Sequence, residues 1–126
     1  MFINKVETLD MARMLARHSA ARQEVLARNV ANADTPGYQR QDIRPFNEVW
    51  REDFQPMRQT RPGHLGTTSQ IELARFTERA SLNPNGNGVS LEAEMLAAAD
   101  AKQKHELALA IQGSLSRTIR AALGRK

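Results

Sequence analysis

Residues 27–38 read Ala27-Arg28-Asn29-Val30-Ala31-Asn32-Ala33-Asp34-Thr35-Pro36-Gly37-Tyr38, and this stretch decides how the chain is organised. Proline disfavours the helical conformation at Thr35. Pro-Gly suits the central positions of a type II turn, where glycine takes the positive φ. A helix arriving from upstream must therefore stop, and the chain must turn.

The upstream segment reads as that helix, from about Asn4 to Ala33. Asn4 and Glu7 form a loose capping box. Leu9, Ala12, Ala16, Ser19, Gln23, Leu26 and Val30 follow at alternating spacings of three and four, a heptad seam whose members are small or polar as often as large. Downstream of the turn, residues 38–88 show no sustained period. Pro45, Pro56, Pro62 and Pro84 interrupt them, and only pieces such as Ile71–Phe76 have the composition of a strand or a helical turn. The run Asn83-Pro84-Asn85-Gly86-Asn87-Gly88 then leads into a second long helix, about Leu91–Leu123, with Ser90 as N-cap and Glu92 and Glu94 near the positive end of the helix dipole. Its seam is Ala98, Ala101, His105, Ala108, Gln112, Leu115, Ile119 and Ala122, flanked by Leu91, Met95, Leu109 and Leu123. Arg117, Arg120 and Arg125 lie near its negative end.

The expected fold is mainly α. Long N- and C-terminal helices form an antiparallel, coiled-coil-like pair around a small irregular insert, with room for some β structure or disorder. The chain divides into an N-terminal helix (residues 1–34), the motif turn and insert (35–89) and a C-terminal helix (90–126).

Composition bears on what such a pair can do. Aromatic residues make up 5% of the 126 residues, too few for a thick core. Burial stabilises by about 25 cal/mol per Å² of apolar surface, whereas ordering the backbone costs about 1–2 kcal/mol per residue. Two alanine-rich helices meet that cost poorly alone and better within a multi-helix assembly. Gln23, Gln112 and His105 on the seams are of the kind that sets register at some expense of stability. Oligomerisation is the inference.

The same numbers exclude other classes. Net charge is +4, with 18 basic and 14 acidic residues interspersed, unlike the dense basic stripe of a nucleic-acid binder. There are no cysteines, hence no disulfide framework, thiol nucleophile or cysteine zinc site. His18, His64 and His105 lack metal-ligand spacing, and His105-Glu106 is not HExxH, because position 109 is Leu. Asn83-x-Asn85-x-Asn87-Gly88 with Glu94 at the twelfth place mimics an EF-hand loop, but Pro84 sits inside it and positions one, three and five hold no carboxylate. The Asn-Gly-Asn-Gly run lacks the Lys and Ser/Thr of a P-loop. Glu52-Asp53 reads as a solvated pair. No nucleophile–base–orienter set emerges, so neither catalysis, cofactor, metal, nucleic acid nor small-molecule substrate is expected. The N-terminus has no apolar core of a cleavable signal peptide, and no run is long enough to span a membrane.

Asn29–Tyr38 closely resembles the signature of the bacterial flagellar axial proteins of rod and hook, an Asn-(Ile/Val/Leu)-Ala-Asn-Ala-x-Thr-Pro-Gly-Tyr run closing the N-terminal helix. Short length, Arg22-Gln23-Glu24-Val25-Leu26, Gln41-Asp42-Ile43 and Asn83-Pro84-Asn85-Gly86-Asn87-Gly88-Val89 point to the short proximal-rod members. Another short rod subunit is the alternative, followed by a basic helical nucleic-acid-binding module. The likeness covers residues 8–46 and 83–123. His105 stands where family members often carry an aromatic. The resemblance implies a non-enzymatic subunit of the flagellar basal-body rod that polymerises through its terminal helices into a torque-transmitting shaft. It would be exported through the flagellar type III apparatus without a cleaved signal peptide and stand in the periplasmic space. Its partners would be other rod proteins, copies of itself, the membrane-ring and adaptor proteins at the rod base, and the export apparatus. The assembly motif is then Asn29, Val30, Ala31, Asn32, Ala33, Thr35, Pro36, Gly37 and Tyr38. Asn29 and Asn32 lie near each other on the helix; their amides either bond a neighbour's backbone or serve helix-end chemistry. Tyr38 is suited to anchor its ring on apolar surface while its hydroxyl finds a partner.

Overall fold

A computed structural model of the chain describes residues 2–53, 75–77 and 88–124. Helix α1 spans Phe2–Ala31 and helix α3 spans Leu91–Ala122. Between them lie strand β1 (Gln41–Ile43), helix α2 (Phe46–Asp53) and strand β2 (Arg75–Thr77). The structure is mainly helical, as the periodicity requires.

The two long helices pack antiparallel. Asn29 meets Glu94, Arg22 meets Asp100, and Ala16 meets His105, so position falls along α1 as it rises along α3. Ala12, Ser19 and Leu26 are buried seven apart on α1, facing Glu94, Ala101 and Ala108, buried seven apart on α3. Small side chains at these heptad positions let the axes come close. Ser19 satisfies its hydroxyl on its own helix, at the Leu15 carbonyl 2.7 Å away. His105 Nδ1 lies 3.1 Å from the Ala16 carbonyl; a carbonyl only accepts, so this nitrogen carries the proton.

Each long helix begins and ends for local reasons. Ser90 is extended, at φ −95° and ψ 115°, and its hydroxyl accepts from the Ala93 amide at 3.5 Å. The N-terminal expectation differs: α1 begins at Phe2, so Asn4 lies inside its first turn and is not the cap. Beyond Ala31 the chain makes the expected turn. The Tyr38 amide donates to the Thr35 carbonyl at 3.2 Å, with Pro36 and Gly37 between and Gly37 at φ +76°, the left-handed region that favours glycine.

The insert holds one helix that the pattern of prolines obscured. Pro45 was expected to interrupt structure, yet its carbonyl accepts from the amides of Glu48 and Val49 and so opens α2; a residue with no N–H to satisfy is well placed where a helix begins. Phe46, Val49 and Trp50 share one face of α2. Val49 is buried, the Phe46 ring meets His18 edge-on at 5.6 Å, and Trp50 stacks on Phe46 at 6.1 Å. β1 and β2 pair antiparallel, Asp42 opposite Phe76. β2 overlaps the end of the Ile71–Phe76 piece; residues 71–74 lie outside the described residues.

Candidate functional site

The segment following the turn, residues 38–43, lies as a strap across the end of the helix pair. Three elements converge there: the last turns of α1, the strap and the first turn of α3. Val25, Leu26, Ile43 and Val89 supply buried apolar surface. Gly88 lets the approach to α3 pass beneath the strap, since a Cβ there would stand 3.1 Å from the Tyr38 carbonyl oxygen.

Asn29 is fully buried at the centre. Its Nδ2 donates to the Gln41 carbonyl at 2.7 Å and to Glu94 Oε2 at 2.9 Å. Its Oδ1 accepts from the Gln41 amide at 3.1 Å and from the Tyr38 hydroxyl at 3.2 Å. Two donors and two acceptor sites exhaust what an amide side chain offers. The idea that Asn29 reaches a neighbouring subunit's backbone is therefore corrected: its whole hydrogen-bonding capacity is spent inside the chain. Asn32 bonds the Arg28 carbonyl of its own helix at 2.7 Å, which is helix-end chemistry. Tyr38 finds its hydroxyl partner in Asn29.

From Asn29 a ladder of charges runs along the groove between the helices. Glu94, wholly buried, is held by Arg40 Nε as well as by Asn29. Arg40 Nη2 also donates to Asp42 at 3.1 Å. Asp42 takes a two-pronged contact from Arg22, at 3.0 and 3.1 Å, and Arg22 Nη1 reaches Asp100 at 3.2 Å. Lys104 closes the row on Asp100 at 2.8 Å. Alternating signs on α1, the strap and α3 thus compensate one another, which buried charges require.

The electrostatics follow from this geometry. Burial by itself pushes the Asp42 carboxyl up, but the Arg22 hydrogen bond, the Ile43 amide and the charges of Arg22 and Arg40 together hold it below the usual carboxylate value. The hydrogen bond to Asp42 raises Arg22 above the ordinary guanidinium value against the opposing effect of burial. The Lys104 hydrogen bond, with help from Arg22, lowers Asp100. Paired charges at Asp42 are thus the favoured state near neutrality.

A groove of about 480 Å³ lies beside the ladder, with Leu15, Ile43, Phe46, Ala101 and Leu107 among its apolar walls. Among its polar members, Arg22, Asp42 and Lys104 are already engaged through the ladder. His18, buried at its side, lies 2.7 Å from the Arg44 carbonyl through Nε2, tying α1 to the start of α2. Among the described residues no three His, Asp or Glu side chains gather as metal ligands, and no helix is long and apolar enough to cross a membrane. Glu94 points to Asn29 and Arg40; Asn83–Asn87, the rest of the EF-hand-like spacing, and His64 lie outside the described residues.

The seam positions fall into three groups. Ala12, Leu26, Ala101 and Ala108 are buried, and Leu9, Ala16, Gln23, Ala98, His105, Gln112, Leu115 and Ile119 are half-buried. Val30 and Ala122 are exposed. In the motif, Ala33 and Tyr38 are half-buried, whereas Ala31, Thr35, Pro36 and Gly37 face outward. Arg22, Arg40, Asp42 and Glu94 were not singled out as site residues by periodicity. A signal for Glu94 was nonetheless present, because stepping the Ala101/Ala108 seam back by seven lands on it. Placing Glu94 at the helix dipole described its position in sequence and missed that it turns inward.

Outside this clamp, α3 keeps an apolar row on its outer side. Met95, Leu109 and Leu123, fourteen apart, are 63%, 49% and 68% exposed, with Leu91 one turn before Met95 at 51%. They occupy alternate heptad places, with Lys102 and Ser116 between them, on a face suited to contact with another helix.

Known proteins share this chain's features. The family described as "Flagella basal body rod protein" matches residues 18–39, the stretch carrying Arg22, Asn29 and Tyr38. The flagellar basal body rod protein FlgB of Salmonella typhimurium is 34% identical over 108 residues, covering 75% of this chain and 77% of its own. That of Escherichia coli is 35% identical over 111 residues, covering 76% and 78%. The protein of the same name from Agrobacterium fabrum is 29% identical over 119 residues and covers 89% of both chains.

Proposed function

The chain belongs to the flagellar basal body rod protein family, and from that premise we propose that it is a structural subunit of the proximal part of the rod, built into the shaft through the outer faces of its paired helices. Its neighbours are other rod proteins and copies of itself, with ring and adaptor proteins where the rod begins, and the flagellar export apparatus delivers it to the periplasmic space. The reading calls for no catalytic step.

The observation that carries the reading is the outer row of α3. Met95, Leu109 and Leu123 stand at heptad multiples with about half or more of their surface in water, although Asn29 and Tyr38 of the motif keep their side-chain polar groups inside the chain. Burying such a row against a second helix is favourable, at about 25 cal/mol per Å². The motif then acts on assembly indirectly, by fixing the angle and register at which α1 and α3 present their outer faces.

Deletion of the gene tests the function directly. Basal bodies purified from the deletion strain are expected to stop at the membrane rings, and the wild-type gene restores the rod. Complete rods in the deletion strain would sink the proposal.

A further inference from the structure

A glycine inside a helix is unfavourable, because it has the most backbone freedom to lose and no side chain to pack. Gly113 lies in the second half of α3 and is exposed. Among the described glycines only Gly37 and Gly124 have a positive φ, so the backbone at 113 does not require glycine. A Cβ added there would meet nothing within 4 Å. Packing among the described residues does not require it either. Glycine does serve one further purpose, which is to let another backbone come close.

The surroundings of Gly113 describe what would come close. Lys102, Glu106, Leu109, Gly113, Arg117 and Arg120 follow at spacings of three and four, so they share one side of α3, and all are exposed. Three cations and one carboxylate leave that side at net +2. A helix suited to it is acidic and can cover Leu109. Helix α2 has that charge: Glu48, Glu52 and Asp53 against Arg51 give net −2, and α2 stays acidic when Arg44, 3.6 Å from Glu48, is counted. Glu48 and Arg51 are exposed. Within one chain the two surfaces cannot meet. α2 borders the groove to which α3 contributes Lys104 and Leu107, and Leu109 lies two residues past Leu107, about 200° round the helix.

We propose that α2 of a second copy of this chain crosses α3 at Gly113, with its carboxylates beside Arg117 and Arg120. The inference rests on the rod-subunit reading and adds which surfaces of two copies meet. Those surfaces differ, so each contact leaves one of each kind free, and the contact repeats from copy to copy as a heterologous interface does. Opposite net charges on the two helices fix the choice of partner and its orientation.

Gly113→Gln separates such a crossing from a role inside the chain. In the purified protein it should raise the urea midpoint, because glutamine is the better helix former and its Cβ meets nothing. In a strain carrying it, rods counted in purified basal bodies should fall at least about tenfold. A lowered midpoint, or rods at the wild-type count, overturns the crossing. The occupant is read by disulfides, since the chain has no cysteine of its own. In oxidised basal bodies Arg51→Cys/Leu109→Cys should give linked multimers of this chain, and neither single variant should. Multimers from Leu109→Cys alone, a link to a different protein, or no link overturns α2 of a second copy as the occupant. Wild-type basal bodies that do not contain this chain would instead overturn the rod-subunit reading.

Discussion

Where α1 finishes and α3 begins, Val25, Leu26, Asn29, Ile43, Val89 and Glu94 are buried together and the strap lies over them. Where α1 begins and α3 finishes, the contact is thin. Among the described residues, none of α3 beyond Ala108 is buried, and none of α1 before Ala12. One end of the pair is a small polar-and-apolar core satisfied by its own chain, whereas the other is two helices side by side without a strap over them. The outer row of α3 runs past both ends, with Leu91 and Met95 exposed beside the clamp and Leu109 and Leu123 exposed beyond it. The alanine-rich seam suggests a pair that is marginal alone; at one end the clamp adds charge pairing and strap contacts that the helix faces do not contain.

The sharpest way to break the contrast is Asn29→Ala. It deletes four hydrogen bonds at once and leaves the half-buried Gln41 backbone groups without their partner. A loss of about 3 kcal/mol is expected, read from the urea midpoint. A change below about 0.5 kcal/mol would mean that the clamp does not hold the pair.

Acid probes the same end less severely. The folded Asp42 lies below its ordinary value, so the folded state binds a proton there less readily than the unfolded chain, whose carboxyl titrates near about 4. The resulting stability is fully present above that value and is lost as pH falls through the folded one. Stability should therefore drop below pH about 4, with exchange at residues 38–43 rising before exchange at 101–108. Asp42→Asn should flatten that acid limb; an unchanged limb would assign it to other groups.

The smallest effect on the isolated chain is expected at the open end. Leu109 and Leu123 are largely exposed, so Leu109→Gln with Leu123→Ser should change stability by no more than about 0.5 kcal/mol. Rods should nevertheless fail to form in a strain carrying that pair, as judged from purified basal bodies. Normal rods would show that assembly uses a different face.

The readable part of the fold was local. Ser90 caps its helix because a hydroxyl there reaches the first free amides, and Pro36-Gly37 turns because one residue has its φ constrained and the other tolerates a positive one. Ala12, Ala101 and Ala108 follow from helical period alone. Helix α2 is hidden in the sequence because Pro45 reads as a break, whereas proline breaks a helix only where its missing N–H would have been used, and helix starts leave that group free. The clamp was hidden for a different reason. Arg22, Arg40, Asp42 and Glu94 are charged, and in a linear chain charge reads as solvent exposure.

Taken alone, the sequence determined the two long helices, the turn between the first helix and the insert, the weak small-residue seams and the Asn29–Tyr38 likeness to flagellar axial proteins. Each depends on residues within a turn or two of one another, where sterics and hydrogen-bond geometry act directly. Only the tertiary structure decided that Asn29 looks inward, that Glu94 is buried, and that Arg40 neutralises it from a strap 54 residues away in sequence. Whether a charge can be buried depends on the opposite charges that other elements bring beside it, and that pairing exists only once α1, the strap and α3 have met.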